Sequence, residues 1–172
     1  MKARQKIMSR MLSVVLGSGL SLGIASAEEP ALVTYQTLSP EIAQELAQAT
    51  LEACRKAGFQ VAVTVVDRAG VPQVMLRDRY AGAHTPDTAT RKAWTAVSFR
   101  TNTLALADMT QPGKPQSGVR QVTNVLMIGG GLPVEAAGSQ VGGVGVSGAP
   151  NGEDDEACAR AGLAAIEDKL EL

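Results

Sequence analysis

A glycine-rich segment near the C-terminal end of the chain, residues 129–148, constrains the fold most tightly. It begins with Gly129-Gly130-Gly131-Leu132-Pro133 and ends with the sequence VGGVGVSG at residues 141–148. So many glycines in one segment indicate that the backbone turns tightly or that another element lies close against it. The residue order predicts turn, strand, turn and strand, followed by a closing helix.

Three glycines of this segment, Gly143, Gly145 and Gly148, fit the pattern G-x-G-x-x-G of dinucleotide-binding loops. Such a loop joins a strand to a helix N-terminus, whereas Gly143 and Gly145 fall inside the predicted strand. The helix that follows begins with four acidic residues at 153–156, which would repel a pyrophosphate. We therefore reject nucleotide binding. We interpret the glycines as bare sheet surface against which a helix, a subunit or a flat ligand packs.

The first 27 residues have the features of an export signal. A basic head precedes an uncharged apolar run at residues 11–24, and Ala25-Ser26-Ala27 is typical of a signal peptidase site. A membrane anchor is the alternative, but the run is shorter than the ~20 residues of a spanning helix. We expect a signal peptide over 1–27, one domain over 28–172 and a periplasmic or secreted location, with no membrane association after cleavage.

The predicted mature chain is mildly acidic. The leader contains four of the 16 Lys and Arg residues and none of the 17 Asp and Glu residues, so residues 28–172 carry a net charge of −5. This charge, without a basic cluster, argues against nucleic acid or an anionic membrane as partner. The length of about 145 residues predicts a single domain.

Cys54 and Cys158 are the only cysteines in the chain. Two cysteines so far apart exclude a zinc cluster, and the C-x-x-C-H pattern of covalent haem attachment is missing. In an oxidising compartment they can form a disulfide that closes a loop of about 100 residues. The alternative is a pair of buried free thiols that pack as small hydrophobic groups.

The predicted elements combine helices with strands joined by short turns. In chain order they are a helix at 39–58, a hairpin of strands at 61–66 and 71–76, helices at 88–99 and 104–109, a strand at 125–128, a hairpin at 133–146 and a helix from 153. Strands joined by turns indicate an antiparallel α+β arrangement rather than βαβ units. The second helix carries a stripe of small residues, Ala89, Ala93 and Ala96, which would let it lie very close to its neighbour.

His84 is the only histidine, and it stands at the end of a loop just before the second helix. The plain interpretation is an exposed polar residue near a helix cap. The functional alternative is a haem ligand, because one axial ligand is enough to hold the iron. Ser147 is no hydrolase nucleophile, since its surroundings lack the G-x-S-x-G elbow and no third member of a triad with His84 is apparent.

Thr85, Asp87 and Lys92 lie near one another on the second helix. A solvated helix face is the plain interpretation of this group. The alternative is the edge of a pocket in which Lys92 pairs with the carboxylate of a ligand.

Four stretches of the chain resemble the GlcG/HbpS-like family. They are VVDRAG at 65–70, Thr85 and Asp87 followed by ATRKAWTA at 89–96, GGLP at 130–133, and Gly138 through VGVSG at 144–148 to Asp155 and Ala161-Gly162. The family includes a glycolate-operon accessory protein, extracellular haem-binding proteins and a domain fused to corrinoid adenosyltransferases. The chain departs from some relatives in having Thr85 where serine is common, and in a longer loop at 109–118.

The resemblance implies a single α+β domain with a five-stranded antiparallel sheet flanked by helices, profilin-like and usually assembled into homo-oligomers. Several members bind haem. We therefore predict an exported haem-binding (tetrapyrrole-binding) protein for haem storage, sensing or handling, with haem as cofactor and no catalytic residue. The predicted site residues are His84 as the iron ligand, Lys92 near a propionate, Trp94 in the apolar pocket wall, and Thr85 and Asp87. The alternative is an accessory subunit or enzyme that acts on a small carboxylate between Asp87, Lys92 and the glycine hairpin.

Overall fold

Helices cover both faces of an antiparallel sheet in the part of the chain that the computed structural model describes, residues 30–171. The elements are α1 (Pro40–Lys56), β1 (Ala62–Asp67), β2 (Pro72–Arg77), α2 (Thr85–Phe99), α3 (Thr103–Met109), β3 (Gly131–Ala136), β4 (Ser139–Ser147) and α4 (Gly152–Ala164). Short 3₁₀ turns lie between α3 and β3, at Ser117–Gln121, and after α4, at Glu167–Lys169. The predicted signal peptide lies outside the described residues. No helix within 30–171 has the length and apolar character needed to span a membrane.

The helices begin where the capping residues predict. The Ser39 hydroxyl accepts a hydrogen bond from the Ile42 amide at 3.3 Å, and Pro40 occupies the first turn of α1. Asn102 caps α3 in the same way, and Asn151 caps α4, with its side-chain oxygen 2.8 Å from the Asp154 amide. α2 differs, because the side chain of its N-cap residue, His84, makes no capping hydrogen bond.

The sheet has the strand order β2-β1-β4-β3, and every pairing is antiparallel. β1 and β4 therefore lie in the centre, and β2 and β3 form the edges. The β3–β4 turn has positive φ at both Ala137 (47°) and Gly138 (73°), the conformation of a type I′ hairpin turn. The expected α+β class with an antiparallel sheet is confirmed, but the expected fifth strand is wrong because the sheet has four strands within residues 30–171.

The segment at 125–128, predicted as a strand, is not one because its backbone bonds to side chains of α2. The Leu126 amide donates to the Thr95 hydroxyl at 3.0 Å, and the Val125 carbonyl accepts from the Arg91 guanidinium at 2.9 Å. The side chains of Val125 and Met127 are buried against Leu106 of α3. Apolar composition alone does not separate such a packed loop from a short strand.

The main core lies between one face of the sheet and helices α1 and α4. Its central members are Val63 and Val65 of β1 and Val144 and Val146 of β4, all fully buried. Cys54 of α1 and Cys158 of α4 form a disulfide with their Cα atoms 5.2 Å apart. Of the two alternatives for the cysteines, the structure therefore has the bridge, which joins the two helices that cover this face.

Helix α2 covers the opposite face of the sheet and approaches β4 very closely. A Cβ atom on Gly145 would lie 2.1 Å from the Ala89 carbonyl oxygen, and one on Gly143 would lie 2.5 Å from a methyl group of Val97. Ala89 and Ala93 are fully buried in this contact. Gly143 and Gly145 are thus covered by a helix, one of the three kinds of partner that the sequence left open, whereas Gly142 packs against Leu38.

Candidate functional site

The loop before α2 is fixed to the rest of the protein at both of its ends. The buried carboxylate of Asp78 accepts two hydrogen bonds from the Arg55 guanidinium, at 2.8 and 2.7 Å. These bonds lower the pKa of Asp78 below its ordinary value. At the other end, the buried hydroxyl of Thr85 donates to the Gly82 carbonyl at 2.8 Å. The loop therefore presents its residues on a constrained backbone.

His84 lies exposed at the end of this loop. Its carbonyl accepts hydrogen bonds from the amide and the hydroxyl of Thr88. Its ring packs over Gly82, where a Cβ atom would lie 2.7 Å from the ring carbon Cε1. Neither ring nitrogen bonds to another residue of the described range. The imidazole is thus held with Cε1 and Nδ1 against the backbone of Gly82, and its Nε2 has no hydrogen-bond partner among the described residues.

The two other residues of the first turn of α2 differ sharply in exposure. Thr85 is 1% exposed, and its hydrogen bond to the Gly82 carbonyl holds the end of the loop in place. The Asp87 side chain is 77% exposed and has only the Arg91 guanidinium nearby, at 3.9 Å. Asp87 therefore adds negative charge beside His84, whereas Thr85 has no surface to offer a ligand.

Lys92 is buried rather than solvated, so the interpretation of its side as a solvated helix face is wrong. Its ammonium donates to Asp155 Oδ2 at 2.7 Å and to the Val146 carbonyl at 3.0 Å. The Lys92 side chain is 2% exposed and that of Asp155 is 5% exposed. A carboxylate of the protein itself thus occupies the place that the prediction gave to a ligand carboxylate.

Asp155, the carboxylate that pairs with Lys92, is a residue that the sequence analysis did not single out. Its place among four acids at the start of α4 favoured a role at the helix dipole. In the structure its second oxygen, Oδ1, accepts from the Ala149 amide at 3.0 Å. Burial raises the pKa of Asp155, and the Lys92 ammonium and the Ala149 amide offset part of this rise.

The glycine run at 129–131 packs over this ion pair. A Cβ atom on Gly130 would lie 2.7 Å from Asp155 Cβ and 3.1 Å from Lys92 Nζ. One on Gly131 would lie 2.4 Å from the Lys92 carbonyl oxygen. Gly130 also has a φ of 114°, which favours glycine. The run is therefore explained by close packing inside the protein.

Trp94 lies in another part of the molecule from His84. Its partly buried ring contacts the cluster of Leu106, Val125 and Met127, and its edge lies against Gly70. Ten residues separate His84 from Trp94, which is about 15 Å along a helix axis. The structure therefore does not bring Trp94 and the imidazole to one pocket wall.

Five grooves of the described surface lie away from the five predicted residues. One of them, with a volume of about 660 Å³, runs between β3 and the C-terminal half of α4, past Pro133 and Leu163. None of these five grooves, which lie between residues 34 and 171, is lined by His84, Thr85, Asp87, Lys92 or Trp94.

Two apolar side chains, one on β2 and one in the loop that follows it, are exposed. Met75 of β2 pairs with Thr64, whose hydroxyl lies 3.0 Å from that of Thr90 on α2, so Met75 lies on the α2 side. Met75 is 49% exposed, and Tyr80, in the loop before His84, is 80% exposed. Within residues 30–171 no three His, Cys, Asp or Glu side chains converge as metal ligands.

A family model described as "Haem degrading protein HbpS-like" matches residues 38–164. The chain belongs to this family. The predicted family is thereby confirmed. The matched range includes every helix and every strand of the described fold. Both the α2 region with His84 and the buried Lys92–Asp155 pair therefore belong to the part that the family shares.

Solved structures of HbpS-like proteins are similar to this chain. A double mutant of HbpS from Streptomyces reticuli is 40% identical with a TM-score of 0.75, covering 82% of this chain and 94% of that one. A complex of PduOC with heme is 32% identical with a TM-score of 0.70, covering 76% of this chain and 95% of that one. PduOC, a protein with the same fold and 32% sequence identity to this chain, thus binds haem.

A longer relative is the corrinoid adenosyltransferase PduO of Salmonella typhimurium. It is 34% identical over 124 residues, which are 71% of this chain but only 37% of PduO. A 15.0 kDa protein from the dhaT-dhaS intergenic region of Citrobacter freundii is 36% identical over 115 residues, 65% of this chain and 80% of that protein. Most of PduO has no counterpart in the alignment, so the adenosyltransferase activity in its name is not assigned to this chain.

Proposed function

We propose that this chain binds haem, with His84 as an axial ligand to the iron. The observation that supports the proposal most directly is the complex of PduOC with heme, a protein of the same fold at 32% identity. His84 is the only histidine of the chain, and it lies within the range that the family matches. One histidine is sufficient for axial ligation.

The residues around His84 fit a haem in their chemistry. The ring nitrogens of His84 have no hydrogen-bond partner among residues 30–171, so one of them is free to ligate iron. Met75, on the α2 side of the sheet, and Tyr80, four residues before His84, expose apolar surface that suits a flat, largely apolar ring system. When bound, the haem would supply redox and oxygen chemistry, and the chain's own contribution would be to hold and orient the iron through His84.

Two of the predicted contacts are not supported by this geometry. Lys92 is engaged by Asp155 and has no exposed surface, so a haem propionate beside His84 would have to use another cation. Trp94 contacts Gly70 and the segment around Val125 instead of the surface beside His84. The exposed carboxylate of Asp87 stays a predicted neighbour of the ligand.

Titration of residues 28–172 with haemin tests the proposal. We expect a saturable shift of the Soret band in the unaltered protein and its loss in His84→Ala. Circular dichroism should show that His84→Ala is folded, because the side chain is exposed. The matched control is Tyr80→Phe, which keeps an exposed aromatic ring but removes the hydroxyl of another exposed side chain able to ligate iron, four residues before His84.

The outcomes of this titration distinguish haem binding by the protein from the identity of the residue that ligates the iron. A shift that survives in His84→Ala but disappears in Tyr80→Phe would make Tyr80 the ligand and overturn the role of His84. An unaltered protein that gives no Soret shift would overturn haem binding itself.

The alternative function, an accessory subunit or enzyme acting on a small carboxylate between Asp87, Lys92 and the glycine hairpin, loses its pocket in the structure. Lys92 and the glycine run are buried against each other, and Asp155 occupies the ammonium. No observation around α2 favours this function over haem binding.

We further propose that the chain is exported and that it assembles into homo-oligomers, as the resemblance implies. The Cys54–Cys158 disulfide supports export because such bridges persist in oxidising compartments. The exposed apolar side chains of Met75 and Tyr80 support assembly. Fractionation of expressing cells with an antibody tests the first proposal, and light scattering during size-exclusion chromatography tests the second. A cytoplasmic, uncleaved product or a monomer would contradict them.

A further inference from the structure

A second candidate site lies at the end of the molecule where the β1–β2 turn, the C-terminal end of α2 and the β3–β4 hairpin meet. A groove of about 380 Å³ opens there, within the range of small-molecule sites, about 300–1,000 Å³. We call it the arginine groove, and its polar lining residues are Arg68, Ser98, Arg100, Glu135, Ser139 and Gln140. It shares no lining residue with the loop that presents His84.

Two guanidinium groups in this groove have no carboxylate partner among residues 30–171. Neither Arg68 nor Arg100 has a carboxylate within 4.0 Å in the described range, although Glu135 lines the same groove. By contrast, Arg55 and Arg160 are each paired with an acid. Two arginines and one glutamate leave the groove with an excess of one positive charge.

The Arg68 side chain is held in place by an aromatic ring. Its guanidinium lies over the ring of Tyr35, 5.0 Å from the ring centre, and its backbone amide donates to the Thr37 hydroxyl. Stacking of this kind restrains the side chain while its nitrogen donors stay open. An arginine that is already oriented loses less conformational freedom when it binds an anion.

Arg100 occupies a backbone position that usually belongs to glycine. It ends α2 with φ 51° and ψ 40°, in the left-handed region. Helices that end this way most often place glycine there, because a Cβ is unfavourable at positive φ. Strained residues of this kind cluster at binding sites. This strained position at the end of α2 places Arg100 in the lining of the groove.

We propose that the arginine groove binds a small dianion that presents carboxylate or phosphate oxygens. Guanidinium groups recognise both by pairs of charge-assisted hydrogen bonds. The hydroxyl groups of Ser98 and Ser139 line the same groove and can donate to the remaining oxygens. A dianion balances the charge of both guanidinium groups, whereas a monoanion balances only one of them.

Calorimetric titration of residues 28–172 with malonate and, separately, with inorganic phosphate tests this proposal at constant ionic strength. We expect saturable binding of at least one dianion with a Kd below about 1 mM, and much weaker binding of acetate. Arg68→Gln and Arg100→Gly should each weaken binding at least about tenfold. Arg100→Gly should fold normally, because glycine tolerates the observed φ. The matched control, Arg79→Gln, removes an exposed arginine outside the groove and should leave binding unchanged.

Binding of malonate alone identifies carboxylates as the ligand class, and binding of phosphate alone identifies phosphorylated ligands; either result supports the site. The proposal is overturned if neither dianion gives saturable heat up to about 10 mM. It is equally overturned if Arg68→Gln and Arg100→Gly bind as the unaltered protein does, or if Arg79→Gln weakens binding as much as they do. The haemin spectrum of Arg100→Gly should stay unchanged, which keeps this test separate from that of His84.

Discussion

Replacing Lys92 by methionine removes one charge from a buried ion pair and leaves the other behind. Methionine keeps most of the length of the side chain but cannot donate to Asp155 Oδ2 or to the Val146 carbonyl. Asp155 would then keep only the Ala149 amide as a partner. Because both side chains are at most 5% exposed, water cannot take over the lost contacts. The variant therefore isolates the cost of an unpaired buried carboxylate.

The expected loss is large compared with the stability of a typical domain. Removal of one partner from a buried ion pair costs about 3–5 kcal/mol, and a domain is usually stable by about 5–15 kcal/mol. We therefore expect Lys92→Met to lose about 3–5 kcal/mol of unfolding free energy at neutral pH, provided that it folds.

The loss should shrink as the pH falls. Burial already raises the pKa of Asp155 above its ordinary value of 3.8, and removal of the Lys92 charge raises it further. A carboxyl group whose folded pKa is raised stabilises the protein when it is protonated, and this stabilisation is lost as the pH rises through the folded pKa. The variant should thus approach the unaltered protein at acidic pH, where its Asp155 binds a proton.

Urea unfolding followed by circular dichroism at about pH 7 and at about pH 4.5 measures both effects. The matched control is Lys169→Met, which breaks an exposed pair with Glu45 and should change stability much less. The double variant Lys92→Met, Asp155→Asn should recover a large part of the loss, because it leaves no unpaired charge. The reasoning would be refuted if Lys92→Met were as stable as Lys169→Met at neutral pH, or if its loss did not depend on pH.

Three further predictions concern the fold. Loss of the Cys54–Cys158 disulfide, by Cys54→Ala with Cys158→Ala, should lower the free energy of urea unfolding by about 4–5 kcal/mol in the chain-entropy model, and equal stability would contradict it. Gly145→Ala should lower the melting temperature strongly because its Cβ would meet the Ala89 carbonyl, whereas Gly118→Ala, with nothing within 4 Å, should melt like the unaltered protein. The pKa of Asp78 is lowered in the folded protein, so the ionised carboxylate stabilises the fold above its ordinary pKa of 3.8, and this stabilisation is lost as the pH falls through the folded pKa. In Asp78→Asn, the free energy of unfolding should therefore fall less steeply as the pH is lowered into the acidic range.

Local signals in the sequence predicted most of the secondary structure. Ser39 and Pro40 mark the start of α1, and the structure places both at the cap. The stripe of Ala89, Ala93 and Ala96 predicted a helix in close contact with a neighbour, and all three residues are fully buried. Each of these signals is contained within a few residues of chain. Such patterns remain readable without knowledge of the tertiary structure.

The misinterpreted features depend on contacts between distant parts of the chain. The strand expected at 125–128 is a loop because Arg91 and Thr95, some thirty residues earlier, bond to its backbone. Lys92 looked solvated because its partner Asp155 is 63 residues away and stands among acids that suit a helix N-terminus. A charged residue is rarely buried unless it is paired, and the sequence does not display such a pair.

The residues that identify the family and those that would meet a ligand are largely different. Lys92, Gly130, Gly145 and Asp155 all belong to stretches that carry the resemblance, and each is packed inside the protein. They specify how α2, β4 and α4 fit together, which is a requirement of the fold whatever the protein binds. The groups available to a ligand are instead exposed, as His84 is, or line a groove, as Arg100 does. Arg68 is the exception, because it lines the groove and also belongs to the resembling stretch at 65–70. Two members of the family can therefore share every buried motif and still bind different ligands, and only substitutions at the surface positions can distinguish them.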